Sequence, residues 1–188
     1  MPYLSEADRR VLLELARESI VEAVSHGQLP EKIPTSGMFA ERRGAFVTLH
    51  VRGRLRGCIG VIEAEEALGE AVVRCAASAA LQDARFSPLS QEELGDLEIE
   101  ISLLSPLAPM VANDVEIGLH GLLITQGAKR GLLLPQVAAE HHLTREQFLE
   151  ETCRKAGLDR AAWRHPDTKL SGFTCEVFSS GGLASRQE

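Results

Sequence analysis

The sequence contains few aromatic residues and no long apolar run. Of its 188 residues 4% are aromatic, with a single tryptophan and a single tyrosine. Proteins that bind single-stranded nucleic acids stack bases on aromatic side chains, and this chain supplies few of them. Its longest apolar stretches, such as Cys75 to Leu81, fall far short of the roughly 18–20 residues that span a bilayer. Neither a single-strand binder nor a membrane protein is predicted.

An excess of positive charge is also lacking. The formal net charge is −7 at pH 7, whereas general nucleic-acid binders need a surplus of Lys and Arg to displace counterions from phosphates. The first residues are acidic and half polar, unlike a secretory signal, so we expect a cytoplasmic protein. Charge is nevertheless uneven, because one acid-free stretch of fifteen residues carries five arginines: Arg42, Arg43, Arg52, Arg54 and Arg56.

Paired metal-ligating and cofactor motifs are missing as well. The four cysteines, Cys58, Cys75, Cys153 and Cys175, form no C-x-x-C pair, which leaves zinc ribbons, thioredoxin-like sites and iron–sulfur runs without support. No phosphate-loop or dinucleotide-binding glycine motif occurs, nor does a Ser-His-Asp or H-E-x-x-H signature. The sequence therefore predicts no metal site and leaves any cofactor unknown.

Hydrophobic periodicity predicts an α+β fold with a mostly antiparallel sheet and flanking helices, in one domain that could comprise two closely packed lobes. The glycines, prolines and apolar spacing favour helices over residues 5–26, 66–84 and 144–156. They favour strands over residues 45–51, 55–61, 97–103, 115–119, 122–125, 131–134 and 173–177. The first two strands form a hairpin that turns around Gly53, and residues 179–188 are expected to be a loose tail.

One cysteine differs from the other three. Cys75, Cys153 and Cys175 fall on apolar faces and are predicted to be small buried hydrophobic residues. Cys58 instead alternates with Leu55, Ile59 and Val61, and this alternation places it on the strand face of Arg54 and Arg56. Guanidinium groups beside a thiol favour the thiolate, which is the form that acts as a nucleophile.

The surroundings of Cys58 allow two interpretations. Glycines at 57 and 60 leave the backbone bare, so that either a ligand or a crossing helix can come close. A hairpin that is symmetric about Gly53 places Thr48 opposite Cys58 and His50 diagonally to it, which makes His50 a weak candidate base. In the alternative interpretation Cys58 merely fills a tight space.

Several segments together resemble a known family. LRGCIG at 55–60 is like the hallmark hexapeptide of the AMMECR family, whose bacterial and archaeal members are called AmmeMemoRadiSam system protein A. The resemblance runs from about Leu4 to Phe178. It includes GAFVTL at 44–49, DARFSPL at 83–89, LEIEISLLSP at 97–106, GLLLPQVA at 131–138 and KAGL at 155–158.

The resemblance implies one AMMECR-type domain over 1–188, an α+β protein of two lobes with the hexapeptide in a cleft and with no established activity. Bacterial members are similar to one part of a set that includes a Memo-like protein and a radical-SAM enzyme, which makes such proteins possible partners. The resemblance implies that the site residues are first those of the hexapeptide, Leu55, Arg56, Gly57, Cys58, Ile59 and Gly60. A second group consists of Asp83, Arg85 and Phe86. Position 50 is variable in the family, which favours Arg56 over His50 as the neighbour that activates Cys58.

Three functions remain open from the sequence. In the first, Cys58 is the nucleophile of an enzyme or enzyme-system component, and Arg56 activates it and binds an anionic group. In the second, the arginine-rich hairpin with Arg54 and Arg56 is a non-catalytic module that binds a nucleotide, a small anionic ligand or a partner protein. In the third, the hexapeptide is purely structural.

Overall fold

The computed structural model describes residues 4–63 and 65–181. The chain divides into two compact units, one formed by 1–104 with 176–188 and the other by 105–175. The first unit holds α1 (Glu6–His26), β1 (Ala45–Val51), β2 (Arg54–Val61), α2 (Leu68–Leu81) and β3 (Leu97–Leu104). The second holds β4 (Ala108–Pro109), β5 (His120–Gln126), β6 (Lys129–Leu133), α3 (Pro135–Glu140) and α4 (Arg145–Lys155). Strand β7 (Lys169–Ser179) begins in the second unit and ends in the first.

The predicted fold class is confirmed. In the first unit the strand order is β2-β1-β3, followed by the last residues of β7, and both β1 pairings are antiparallel. In the second unit β5 pairs antiparallel with both β6 and β7, and β4 pairs with β7. Every helix in the described part of the chain is too short or too polar to span a bilayer.

The predicted start and end of α1 are also confirmed. The Ser5 hydroxyl accepts a hydrogen bond from the Asp8 amide, and the Asp8 carboxylate accepts one from the Ser5 amide, which together form a capping box. Gly27 ends the helix in the left-handed conformation, with φ of 68°. One face of α1 and one face of α2 pack on β1 and β3 around fully buried side chains, among them Leu12, Val47, Val72 and Ile101.

The β1–β2 hairpin has a tight turn and a bulge. Arg52 and Gly53 occupy the turn with φ of 52° and 72°, the left-handed pair typical of a two-residue hairpin. Val51 pairs with Arg54 and His50 with Leu55, but Leu49 pairs with Gly57, so that Arg56 is an extra residue in β2. The prediction of a turn that is symmetric about Gly53 is therefore wrong. The extra residue in β2 nevertheless restores the predicted pairing of Thr48 with Cys58.

The sequence predictions fail at a few elements. Residues 115–119 form a turn rather than a strand, because Gly118 has φ of 84° and the His120 amide bonds to the Glu116 carbonyl. Helix α3, which begins at Pro135, is an element that the periodicity does not reveal. Of the predicted tail, residues 182–188 lie outside the described residues.

Two faces were also predicted wrongly. Strict alternation over residues 97–103 predicts that Ser102 faces water together with Glu98 and Glu100, but Ser102 is 3% exposed and lies opposite Phe46 in the sheet register. Alternation over residues 173–177 predicts that Phe173, Cys175 and Val177 share one apolar face, but the buried phase of β7 changes, with Phe173 and Phe178 buried and Val177 exposed. The change falls where this strand passes from the second unit to the first.

Candidate functional site

Cys58 lies on β2, which is an edge strand of the first unit. Its backbone amide points away from β1 and donates a hydrogen bond to Asp83 Oδ2 at 2.9 Å. Thr48 and Cys58 therefore form a non-hydrogen-bonded pair, the kind in which facing side chains approach most closely. The Thr48 hydroxyl donates to the Cys58 sulfur at 3.3 Å. The half-buried sulfur thus has a hydroxyl donor on its own sheet face.

The Asp83–Arg85 pair holds the outer edge of the strand at Cys58. Asp83 Oδ2 accepts from Arg85 Nη2 at 2.7 Å, and Asp83 Oδ1 accepts from Arg85 Nε at 3.0 Å. Arg85 Nη2 also donates to the Cys58 carbonyl at 3.5 Å. The Asp83 carboxylate accepts a hydrogen bond from the amide of Cys58, and the Arg85 guanidinium donates one to its carbonyl. The two side chains therefore occupy the position in which a neighbouring strand would otherwise pair.

Asp83 is strongly biased towards its charged form. Its side chain is 5% exposed, but the hydrogen bonds from Arg85, followed by the amide of Cys58, hold the pKa of its carboxyl well below the ordinary range. Burial acts in the opposite direction and is outweighed. The partly exposed Arg85 guanidinium also lies over the Phe86 ring, 5.3 Å from its centroid. The structure thus brings together Cys58, Asp83, Arg85 and Phe86, which the resemblance named from two separate segments.

Arg56 attaches the same edge to the segment after α2. Its guanidinium donates to both Glu93 oxygens, at 2.7 and 3.0 Å, and to the Ser87 carbonyl at 2.7 Å. Bonds from Arg56, and then from the Ser90 amide, lower the pKa of Glu93 from 4.5 to about 2. Sequence analysis missed Glu93, although the S-x-x-E spacing of Ser90 and Glu93 is the signature of the capping box that these residues form.

The two hexapeptide glycines are needed for packing within the chain. A Cβ on Gly57 would lie 2.1 Å from the Ala79 carbonyl oxygen of α2, and one on Gly60 would lie 2.3 Å from the Phe46 ring. Both bare surfaces are therefore covered by the protein itself, by a crossing helix at Gly57 and by an aromatic ring at Gly60. Ile59, the remaining apolar residue of this segment, packs partly buried against the core.

The bulge changes which side chains share a face with Cys58. Leu55, expected on the opposite face, pairs with His50 and is in phase with Cys58; it is 41% exposed. Arg54 pairs with Val51 and is out of phase with Cys58, so the predicted shared face is wrong for this arginine. On its other side His50 pairs with Glu98 of β3. The alternation rule fails here because one residue of β2 has no partner on β1.

Most of the arginine-rich hairpin is neutralised by nearby carboxylates. Arg43 binds Glu41, Arg52 binds Asp96 at 2.7 Å and Arg56 binds Glu93. Within residues 4–63 and 65–181, Arg42 and Arg54 form no ion pair. Arg54 is exposed at the end of the hairpin.

The other cysteines differ from Cys58 in their surroundings. Cys75 and Cys153 are fully buried, as predicted, whereas Cys175 is only partly buried. Burial raises the pKa of Cys75 to about 11, that of Cys175 to about 12, and that of Cys153 in the same direction. These three thiols provide internal references for the reactivity of Cys58.

Possible metal ligands and grooves among the described residues can be compared with the position of Cys58. Among the described residues no group of three or more His, Cys, Asp or Glu side chains could hold a metal ion. Grooves of about 690 and 740 Å³ lie in the second unit, and one of about 470 Å³ lies between α1 and α2. Cys58 lines none of these three grooves; it lies on the edge strand β2.

Comparison with known proteins identifies the family. The AMMECR1 family model matches residues 13–178, which include the whole of the Cys58 edge and most of both units. The chain belongs to the AMMECR1 family. A relative from Methanothermobacter thermautotrophicus is 39% identical over 189 residues, covering 95% of this chain and 97% of the relative. Another, from Methanosarcina acetivorans, is 41% identical over 172 residues and covers 85% of each chain.

A crystal structure supports the same assignment. The chain is similar to an uncharacterised protein from Pyrococcus horikoshii, with a TM-score of 0.81 and 37% sequence identity. The match covers 90% of this chain and 89% of that one. The AMMECR1 fold is therefore shared over nearly the full length, and none of these relatives carries a named activity.

Proposed function

We propose that this AMMECR1-family protein is a cysteine-dependent enzyme, or a component of an enzyme system, that works in the cytoplasm with the Cys58 thiolate as its nucleophile. The observation that carries the proposal is the pairing of a half-buried sulfur with a hydroxyl donor at 3.3 Å. The hydroxyl holds the sulfur in one position on the sheet face, and the thiolate is the form of cysteine that acts as a nucleophile. Asp83 and Arg85 support the proposal because they fix the backbone on both sides of this sulfur.

In this proposal Arg85 faces the anionic group of the substrate. Its side chain is 57% exposed, and it reaches the Cys58 carbonyl. The guanidinium of Arg56 is instead engaged by Glu93 and two backbone carbonyls. Activation of Cys58 by Arg56 stays a prediction, and the same experiment tests both arginines.

The test is the rate of iodoacetamide labelling at each cysteine of the folded protein, read by peptide mass spectrometry as sulfur displaces iodide. We expect Cys58 to react much faster than Cys175, which is similarly placed between core and solvent and whose pKa is about 12. Thr48→Val removes one hydrogen bond to sulfur and should slow Cys58 about fivefold. Cys175 in the same variant is the control.

Arg85→Gln and Arg56→Gln then show which guanidinium matters to the rate at Cys58. If Cys58 reacts no faster than Cys175 and is insensitive to Thr48→Val, the nucleophile proposal is wrong. The role of the hexapeptide is then packing, which is the role that the close contacts of Gly57 and Gly60 indicate.

A second candidate function is a non-catalytic module that binds a nucleotide, another small anion, or the Memo-like and radical-SAM proteins that the family resemblance implies. Arg54 favours it, because this arginine is exposed, forms no ion pair among the described residues and adjoins the 41% exposed Leu55. An arginine beside an exposed apolar side chain, as at this end of the β1–β2 hairpin, is typical of surfaces that contact a partner protein.

Binding assays with purified Memo-like and radical-SAM proteins separate the two functions. The module predicts that Arg54→Glu abolishes binding while Cys58→Ser retains it, with the exposed Arg10→Glu as the charge-matched control. Binding that survives Arg54→Glu rejects the hairpin as the contact surface.

A further inference from the structure

The second unit contains a groove of about 690 Å³ between β6, α3 and α4. Small-molecule sites usually occupy roughly 300–1,000 Å³ and combine an apolar lining with a few polar groups. The floor of this groove consists of three partly buried aliphatic side chains, Leu133, Val137 and Leu143. Leu133 and Leu143 also pack against the core of the unit, so the floor is firmly supported.

The rim of the groove is cationic. Glu151 is the acidic residue of its lining, and its carboxylate already binds Arg154 at 2.6 Å and Arg160 at 3.3 Å. Lys155 and His141 also line the groove, and neither has an ion-pair partner in the part of the chain that the structure describes. Because Glu151 is already paired with arginines, the charge of Lys155 beside the aliphatic floor favours a ligand that carries a negative charge.

The backbone is arranged to keep both walls in place. His142, which follows α3, has φ of 50°, a left-handed conformation that non-glycine residues rarely adopt. Its turn, closed by the Leu143 amide on the Ala138 carbonyl at 2.9 Å, returns Leu143 to the groove and leaves His141 on the rim. Next to the groove, Gly131 of β6 packs so tightly on the C-terminal end of α4 that a Cβ would lie 2.3 Å from the nitrogen of Ala156, the residue after the helix.

We propose that this groove binds a small amphiphilic carboxylate, with its aliphatic body on Leu133, Val137 and Leu143 and its acid group at Lys155. The site lies wholly in the second unit and is independent of the Cys58 chemistry proposed above. The ligand class follows from the two features that the lining combines, an apolar floor and an unpaired cation on the rim.

Methyl-resolved NMR titration of the full chain tests the proposal with three eight-carbon probes: octanoate, 1-octanol and octylammonium. Octanoate should shift the methyl signals of Leu133, Val137 and Leu143 saturably. Octanol, which lacks the charge, should bind about tenfold more weakly, and octylammonium should not bind. The methyls of Leu29 and Leu81, in the groove between α1 and α2, are internal controls and should not move.

Variants then test the cation. Lys155→Glu should weaken octanoate binding about tenfold or more, and Lys155→Arg should retain it. Lys32→Glu, at an exposed lysine of the first unit, alters the net charge equally and should have no effect.

Three results would each overturn the proposal. They are equal affinities for octanoate and octanol, octanoate affinity that is unchanged by Lys155→Glu, and no saturable shift up to about 10 mM octanoate, the range of very weak binding. Loss of Cys58 reactivity would not bear on this site, because no residue is common to both.

Discussion

At the residue scale, the carboxylates around the hexapeptide are placed to hold structure rather than to transfer protons. Asp83 and Glu93 each accept several hydrogen bonds, and in both the bonds to an arginine outweigh the cost of burial. A carboxyl whose pKa lies far below its ordinary value remains ionised at neutral pH and is a poor general acid or base there. The two carboxylates therefore hold the edge of β2 against the segment after α2, Asp83 at Cys58 and Glu93 at Arg56.

This view predicts how stability depends on pH. The pKa of Glu93 in the folded protein is about 2, below its ordinary 4.5. Folding therefore gains from its ionisation above about pH 4.5, and that gain is lost as pH falls towards 2. Glu93→Gln should lower the free energy of unfolding by about 1–2 kcal/mol at pH 7, between the values for exposed and buried ion pairs.

Urea unfolding of the wild-type protein and Glu93→Gln between pH 7 and about pH 2.5 measures this difference. It should be constant down to about pH 5 and shrink below that, because the Glu93 carboxyl of the unfolded wild-type chain takes up its proton at a higher pH than that of the folded protein. A difference that stays the same down to the lowest pH would mean that Glu93 acts through packing rather than through its charge.

At the element scale, the bulge in β2 decides which residues surround Cys58. Alternation along the sequence predicts the hairpin and both strands, and it places Thr48 opposite Cys58. It cannot reveal the extra residue at Arg56, because a bulge is a property of strand pairing and not of one strand's pattern. Leu55 and Arg54 were therefore assigned to the wrong faces, whereas residues beyond the bulge were assigned correctly.

The contact between β2 and α2 predicts the effect of a single methyl group. In Gly57→Ala the added Cβ would meet a helix carbonyl oxygen at 2.1 Å, and backbone cannot move aside as a flexible side chain can. We expect a loss of about 1–3 kcal/mol in the free energy of unfolding, the usual cost of overpacking.

Gly95→Ala is the matched control, since nothing lies within 4 Å of the added atom and its φ is not in the left-handed region. Denaturant unfolding of both variants separates a steric effect from a general cost of losing glycine. If Gly57→Ala is as stable as Gly95→Ala, the strand and helix are less closely packed than the structure shows.

At the scale of the whole molecule, sequence patterns predict the class of fold more securely than its division. Helices α1, α2 and α4 and most strands follow from periodicity and from capping residues such as Ser5, Thr144 and Gly157. The division into two units is visible only in three dimensions, since one strand, β7, serves both and changes its buried phase on the way.

The candidate site, like the division into units, could be predicted only in part from the sequence. Resemblance names Cys58, Asp83 and Arg85 without giving a reason for their association, because they lie in segments 25 residues apart. The structure supplies the reason: the segment after α2 folds back along the edge of β2. Glu93 and the groove beside α4 involve side chains that meet only through folding, which no periodicity in the sequence expresses.

The Asp83–Arg85 pair also bears on self-association. An edge strand offers unpaired amides and carbonyls to any other strand, and native proteins protect such edges against sheet growth between molecules. At Cys58 both backbone groups are already occupied by side chains of the same molecule. The pair thereby blocks the addition of a strand from another molecule at this position, and it uses only the backbone groups of Cys58, so that the half-buried sulfur on the sheet face takes no part in the protection.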